Sequence, residues 1–117
     1  MKYFKYSEFD SPDEKGSGGN MDETFLSMLD EARHLAKLPF KINSGYRTEE
    51  HNTYVGGKSN SSHLKGLACD IHCVNSRSRF IILKALKDVG FNRIGIAKTF
   101  IHCDIDLDKS QNVTWLY

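Results

Sequence analysis

A chain of 117 residues is long enough for one domain that buries a full core without a disulfide or metal staple. With 39% hydrophobic and 26% charged residues and a formal net charge of +1, it has an ordinary globular composition and lacks the basic excess of a nucleic-acid-binding surface. No run is long and apolar enough to span a membrane, and the opening MKYFKYSEFD has no signal-peptide core, so the chain is expected to be made in the cytoplasm and to act outside only when a separate factor releases it.

Residues 1–21 begin aromatic and turn polar and glycine-rich (SPDEKGSGGNM), which reads as a segment lying on the domain followed by a loop. Asn20 or Asp22 is placed to cap the next helix. From Glu23 to Lys37, Phe25, Leu26, Met28, Leu29, Ala32, Leu35 and Ala36 recur at helical spacing, with His34 on the outer side. Pro39 ends that helix, and FKINSG alternates as a short strand. YRTEEHNTYVGGKSNSS reads as a helical turn and a loop, and residues 67–74, LACDIHCV, alternate strictly. SRSRFIILKALKDVG is an amphipathic helix, with Ser76 or Ser78 as cap and Gly90 as stop. NRIGIAKTFIHCDIDLD reads as two strands joined near Lys98 and Thr99, and VTWLY as a short strand or docked tail. Two main helices with a small, mostly antiparallel sheet make one α+β domain over residues 1–117.

Cys69, Cys73 and Cys103 form no CxxC pair, and each sits in an apolar alternation, so all three read as small buried hydrophobes. Alternate strand residues share a face. Ala68, Asp70 and His72 therefore point one way and Cys69, Ile71 and Cys73 the other. Likewise His102, Asp104 and Asp106 oppose Ile101, Cys103 and Ile105. Two strands each with an apolar face and a His/Asp face could converge on one ion, with His63 supplying a third ligand. On this ground alone the pattern fits either a metal site or a solvated sheet face.

The stretch Ser61-x-His63-x-x-Gly66-x-Ala68-x-Asp70 resembles the SxHxxGxAxD motif of the zinc D-Ala-D-Ala carboxypeptidases and L-alanyl-D-glutamate endopeptidases, whose fold is shared with the hedgehog signalling domain. SGYRT (Ser44 to Thr48) resembles their arginine-bearing segment and FIHCDID their late histidine strand, so the resemblance spans about residues 40–106, with WLY (Trp115 to Tyr117) as its closing match. It implies zinc held by His63, Asp70 and His102, with Arg47 binding a substrate carboxylate or polarising the scissile carbonyl and Ser61 supporting the loop or the substrate. It breaks at Thr99 and Phe100, where several family members carry an acidic residue or a histidine that can handle protons. Asp104, on the His102 face, is the substitute general base, or alternatively orients a ligand. Asp106 is expected to be structural or solvated.

The resemblance thus implies a monomeric zinc metallopeptidase cutting peptidoglycan stem peptides, as a carboxypeptidase or an endopeptidase, in the manner of a phage or prophage lysis protein. Nucleic acid and membrane insertion are not expected. The rival readings are a non-catalytic, zinc-stabilised cell-wall binding module and a structural phage protein.

Overall fold

The first helix begins where the sequence offers an acceptor to free backbone N–H groups. Asp22, in extended conformation, takes a hydrogen bond from the Phe25 amide at 2.9 Å and opens α1, Glu23–Ala36. Its inner stripe, Phe25, Leu26, Leu29 and Ala32, is fully buried, while Leu35 falls off that stripe and is exposed. The computed structural model describes all residues, 1–117. A short helix, α2, covers Glu49–Tyr54, and the second long helix, α3, covers Ser76–Asp88. The cap of α3 is Asn75, not Ser76 or Ser78: Asn75 is the last extended residue, and its side-chain oxygen accepts from the Ser78 amide at 2.8 Å.

Five strands, β1 (Ile42–Ser44), β2 (Ala68–His72), β3 (Arg93–Ile96), β4 (Phe100–Asp104) and β5 (Val113–Leu116), form one sheet in the order β1-β2-β4-β3-β5. Three pairings are antiparallel, as expected, but β5 joins β3 in parallel, so the sheet is mixed. The helices α1 and α3 pack on each other, and the core joins them to the sheet face of Cys69, Ile71, Ile94, Ile101 and Cys103. The three cysteines are free and buried; the sulfurs of Cys69 and Cys103 lie 3.8 Å apart. Residues 1–21 lie on the domain through Phe4, Phe9 and Met21, which belong to the same core.

With one face buried, the register of the other is set, because a one-residue slip would turn every apolar side chain outward. The ladder pairs Ser44 with Asp70, Asp70 with His102, His102 with Gly95, and Gly95 with Trp115. One transverse row therefore crosses all five strands on the face away from the helices.

Candidate metal centre

Two members of that row, Asp70 and His102, are directly opposed at the middle of the sheet. The third residue arrives from outside it. Ser61 caps a single 3₁₀ turn, Ser62–Lys65, by accepting from the His63 amide at 3.3 Å, and Gly66 closes the turn at φ 71°. A Cβ at Gly66 would lie 2.3 Å from the Asn20 carbonyl oxygen, so the tight exit from the turn requires glycine for both conformation and space. A buried bridge holds the turn from below: the Ser62 hydroxyl donates to Asp106 at 2.7 Å, and Lys65 donates to both Asp106 oxygens at 3.1 Å. Asp106 is 1% exposed, so of the two readings for it the structural one describes its place. Burial pushes its carboxyl up, but Ser62, Lys65 and the Asp108 amide outweigh burial and hold it below its ordinary value.

His63, Asp70 and His102 are all buried, and one ligand atom from each lies within 4.8 Å of the others. His63 Nδ1 lies 2.8 Å from the Gly45 carbonyl oxygen, which can only accept, so the proton is on Nδ1 and the Nε2 lone pair faces Asp70 Oδ1 at 3.5 Å. His102 is turned the other way. Its Nε2 donates to Asp104 at 2.7 Å, leaving Nδ1 at 3.0 Å from the same Asp70 oxygen. Two nitrogen lone pairs thus aim at one carboxylate, and something positive must sit among them, a proton or a metal ion. Without a metal, burial lowers the His102 pKa, but Asp104 and Asp70 outweigh it and raise the value. Burial likewise pushes Asp70 up, and His102 and His63 more than reverse it, holding the carboxyl well below the usual carboxylate range.

Two imidazole nitrogens and one carboxylate form the donor set of a four-coordinate, borderline-soft ion with one position open, which suits zinc. Ligand–ligand distances of 3.0 and 3.5 Å suit bonds of about 2 Å to a common centre. The residues fit the ion.

A cleft of about 550 Å³ opens over the triad. Arg47 lies at its β1 side, with Nε donating to Ser44 at 3.1 Å, Nη1 to Asn52 at 3.2 Å, and Nη2 3.6 Å from Asp70 Oδ2. Ser61 also lines the cleft, although its hydroxyl is engaged as the cap of the His63 turn. Asp104, the expected general base, lines the cleft with both oxygens hydrogen-bonded. It is 1% exposed, and it accepts from Arg93 Nε at 2.7 Å, from His102 Nε2 at 2.7 Å and from the Asp106 amide at 3.1 Å. Burial raises its pKa, but these donors, His102 first, bring it below its ordinary value. Asp70 and Asp104 are the only carboxylates lining the cleft, and both are engaged. Phe100 lines it without any proton to exchange.

The sequence profile of the family described as Peptidase M15 matches residues 2–104. The chain belongs to the Peptidase M15 family. A zinc D-Ala-D-Ala carboxypeptidase of Streptomyces albus G is 30% identical over 100 residues, covering 78% of this chain and 39% of its own. This chain therefore spans about two fifths of that M15 relative's length.

Sequence reasoning gave no site role to Arg93, which fixes Asp104; to Gly45, whose carbonyl sets the His63 tautomer; or to Gly95, Trp115 and Tyr117, although the last two belong to the closing WLY of the resemblance. For the last two a signal existed, since residues 115 and 117 alternate onto one strand face. Which face depends on a parallel pairing that spacing does not show.

Proposed function

We propose that this chain is a monomeric zinc peptidase that hydrolyses the stem peptides of peptidoglycan, in wall lysis or remodelling. The observation that carries the reading is the buried His63–Asp70–His102 triad with both imidazole lone pairs turned to a common centre beneath an open cleft. Family membership and a relative named as a zinc D-Ala-D-Ala carboxypeptidase support the metal and the substrate class. When bound there, zinc supplies Lewis acidity toward a carbonyl and acidifies water.

The chain's own residues do the rest. His63 Nε2, His102 Nδ1 and an Asp70 oxygen are the holding atoms, and Gly45 and Asp104 keep the imidazole protons on the far nitrogens. Asp104 is thus a positioning residue, itself fixed by Arg93. Arg47, braced by Ser44 and Asn52, presents its remaining N–H groups to a peptide carboxylate or carbonyl. Ser61 holds the His63 turn.

One observation favours a second reading: no carboxylate in the cleft is free to accept a proton, which suits a zinc-stabilised wall-binding module. The test is zinc content by mass spectrometry for wild type and His63→Ala, followed by digestion of purified sacculi and mass analysis of the products. One zinc per chain, lost in the variant, with release of peptides carrying new termini, supports the peptidase. Zinc and sacculus binding without release supports the module. A folded wild type that rejects zinc refutes both.

A further inference from the structure

The stretch matched by the family ends at residue 104, yet the cleft does not end with it. Strand β5 adds two aromatic residues to the lining, Trp115 and Tyr117. Their presence on the metal face follows from the register. Gly95, between His102 and Trp115 in the transverse row, has no side chain, and the Trp115 indole occupies the vacated space. A Cβ at Gly95 would lie 2.6 Å from Trp115 Nε1 and 2.7 Å from Tyr117 Cε2. The indole then reaches the His102 ring at 5.5 Å between centroids, and the Arg93 guanidinium covers it at 4.9 Å. Tyr117 packs on Phe100 at 5.1 Å and on Trp115 at 6.4 Å, but remains 67% exposed.

Arg47 follows β1 and Tyr117 follows β5, so the two flank the sheet from opposite edges with the triad between them. Their side chains lean inward, Arg47 to Asp70 on β2 and the Tyr117 ring over Gly95 on β3, so at about 4.8 Å per strand two gaps, roughly 10 Å, part them, room for about three extended residues. A guanidinium fork stands at one end of this track, and three aromatic rings with one phenol stand at the other.

We infer that Phe100, Trp115 and Tyr117 form a second substrate subsite, in which the rings pack on an aliphatic part of the bound peptide and the Tyr117 hydroxyl donates a hydrogen bond to one of its carbonyl or carboxylate oxygens. The inference rests on the peptidase reading for the identity of the ligand, and on the cleft geometry for everything else. Partial withdrawal of the phenol from water, with Asp70 and Asp104 nearby, holds its pKa above the ordinary value against the opposing effects of the Trp115 N–H and the Arg47 charge. The hydroxyl therefore remains a donor at neutral and mildly alkaline pH.

Trp115 is the only tryptophan of the chain, so its emission reports on this subsite alone. Zinc-loaded wild type, Tyr117→Phe and Tyr117→Ala are titrated with an N-acetylated peptide ending in D-Ala-D-Ala and with muropeptides from digested wall, while cleavage is followed separately. The expected result is a saturable emission change in wild type and a Kd raised about fivefold to tenfold in Tyr117→Phe, as for one lost hydrogen bond. Tyr117→Ala weakens binding further, and zinc content is unchanged in both variants. Cleavage with a silent Trp115, or Tyr117→Phe equal to wild type in both Kd and kcat/KM, overturns the subsite and leaves the peptidase reading standing. An emission response with the variant effects but without cleavage upholds the subsite and overturns the peptidase reading. No response and no cleavage with any wall peptide overturns both.

Discussion

Replacing Asp104 with asparagine separates two roles for a carboxylate beside His102. In the native site both oxygens face donors: one takes Arg93 Nε at 2.7 Å and the Asp106 amide at 3.1 Å, the other His102 Nε2 at 2.7 Å. An asparagine side chain has one oxygen and one NH₂ group. If its oxygen stays on Arg93, the NH₂ meets the His102 N–H, and the ring relieves the clash by moving its proton to Nδ1. That proton then occupies the position facing Asp70, where the lone pair toward the metal should be. If the amide flips instead, a 1% exposed side chain sets its NH₂ against the Arg93 guanidinium. Either way, Asp104→Asn is expected to weaken zinc binding about tenfold to a hundredfold, or about 1.4–2.7 kcal/mol. The folded protein also loses about 1–3 kcal/mol from the mismatched buried donor. Competition with a chromophoric chelator gives the first quantity and urea denaturation of the metal-free protein the second. Zinc affinity equal to wild type, with turnover reduced more than a hundredfold, would refute the positioning role and restore Asp104 as the proton acceptor.

The other expectations concern the ion, the arginine, the bridge under the turn and the glycine gap. Stripping zinc from the chain should leave it folded on its core but lower the Tm by on the order of 10–20 °C relative to protein at a thousandfold excess over Kd, since binding then adds about 4 kcal/mol; calorimetry with and without chelator checks this, and an unchanged Tm would deny the site. Arg47→Lys loses the planar fork, so kcat/KM should fall about tenfold to a hundredfold while zinc content holds; steady-state kinetics beside metal analysis makes the comparison. Asp106→Asn should cost about 1–3 kcal/mol at pH 7. Because the folded pKa of Asp106 is lowered, its stabilisation is fully present above the unfolded value near 3.9 and is lost as pH falls through the folded value. Urea midpoints for the two proteins should therefore converge as pH falls below about 4 and through the lowered folded value, and a gap that persists in strong acid would contradict the assignment. Gly95→Ala puts a Cβ 2.6 Å from the indole nitrogen and should cost about 1–3 kcal/mol, with a red-shifted Trp115 emission as the ring is displaced.

Much of the centre was legible because strand alternation is a local property. Placing Asp70 and His102 on polar faces opposite Cys69 and Cys103 required only a period of two, and the two faces meet in the register that buries the apolar ones. His63 needed the motif, since a 3₁₀ turn has no periodic signature and its place beneath the sheet face is set by the Ser62–Asp106 bridge, 44 residues apart in sequence. Roles were harder than places. Whether Asp104 takes a proton from water or holds a ring depends on what else donates to it, and Arg93 lies eleven residues away on another strand. The cap of α3 lies one residue before Ser76 and three before Ser78, because Asn75, Ser76 and Ser78 are all good caps and the choice follows from which residue still has extended backbone. The parallel return of β5 depends on the loop between β4 and β5, where no repeat or spacing records the direction of pairing.

The row Ser44–Asp70–His102–Gly95–Trp115 makes the metal a reporter of assembly. Sliding β4 by one position would set Ile101 or Cys103 against Asp70 and leave the ion two donors, from a strand and a turn. Chains that retain zinc against a competing chelator are therefore those whose central strands paired in register, and metal affinity can sort refolded molecules from compact misregistered ones of similar secondary structure. The pairings in question join residues 28 to 36 positions apart, such as Asp70 with His102, and contacts of that separation are slow to close. Acquisition of tight zinc binding during refolding should accordingly lag the recovery of helical signal from α1 and α3.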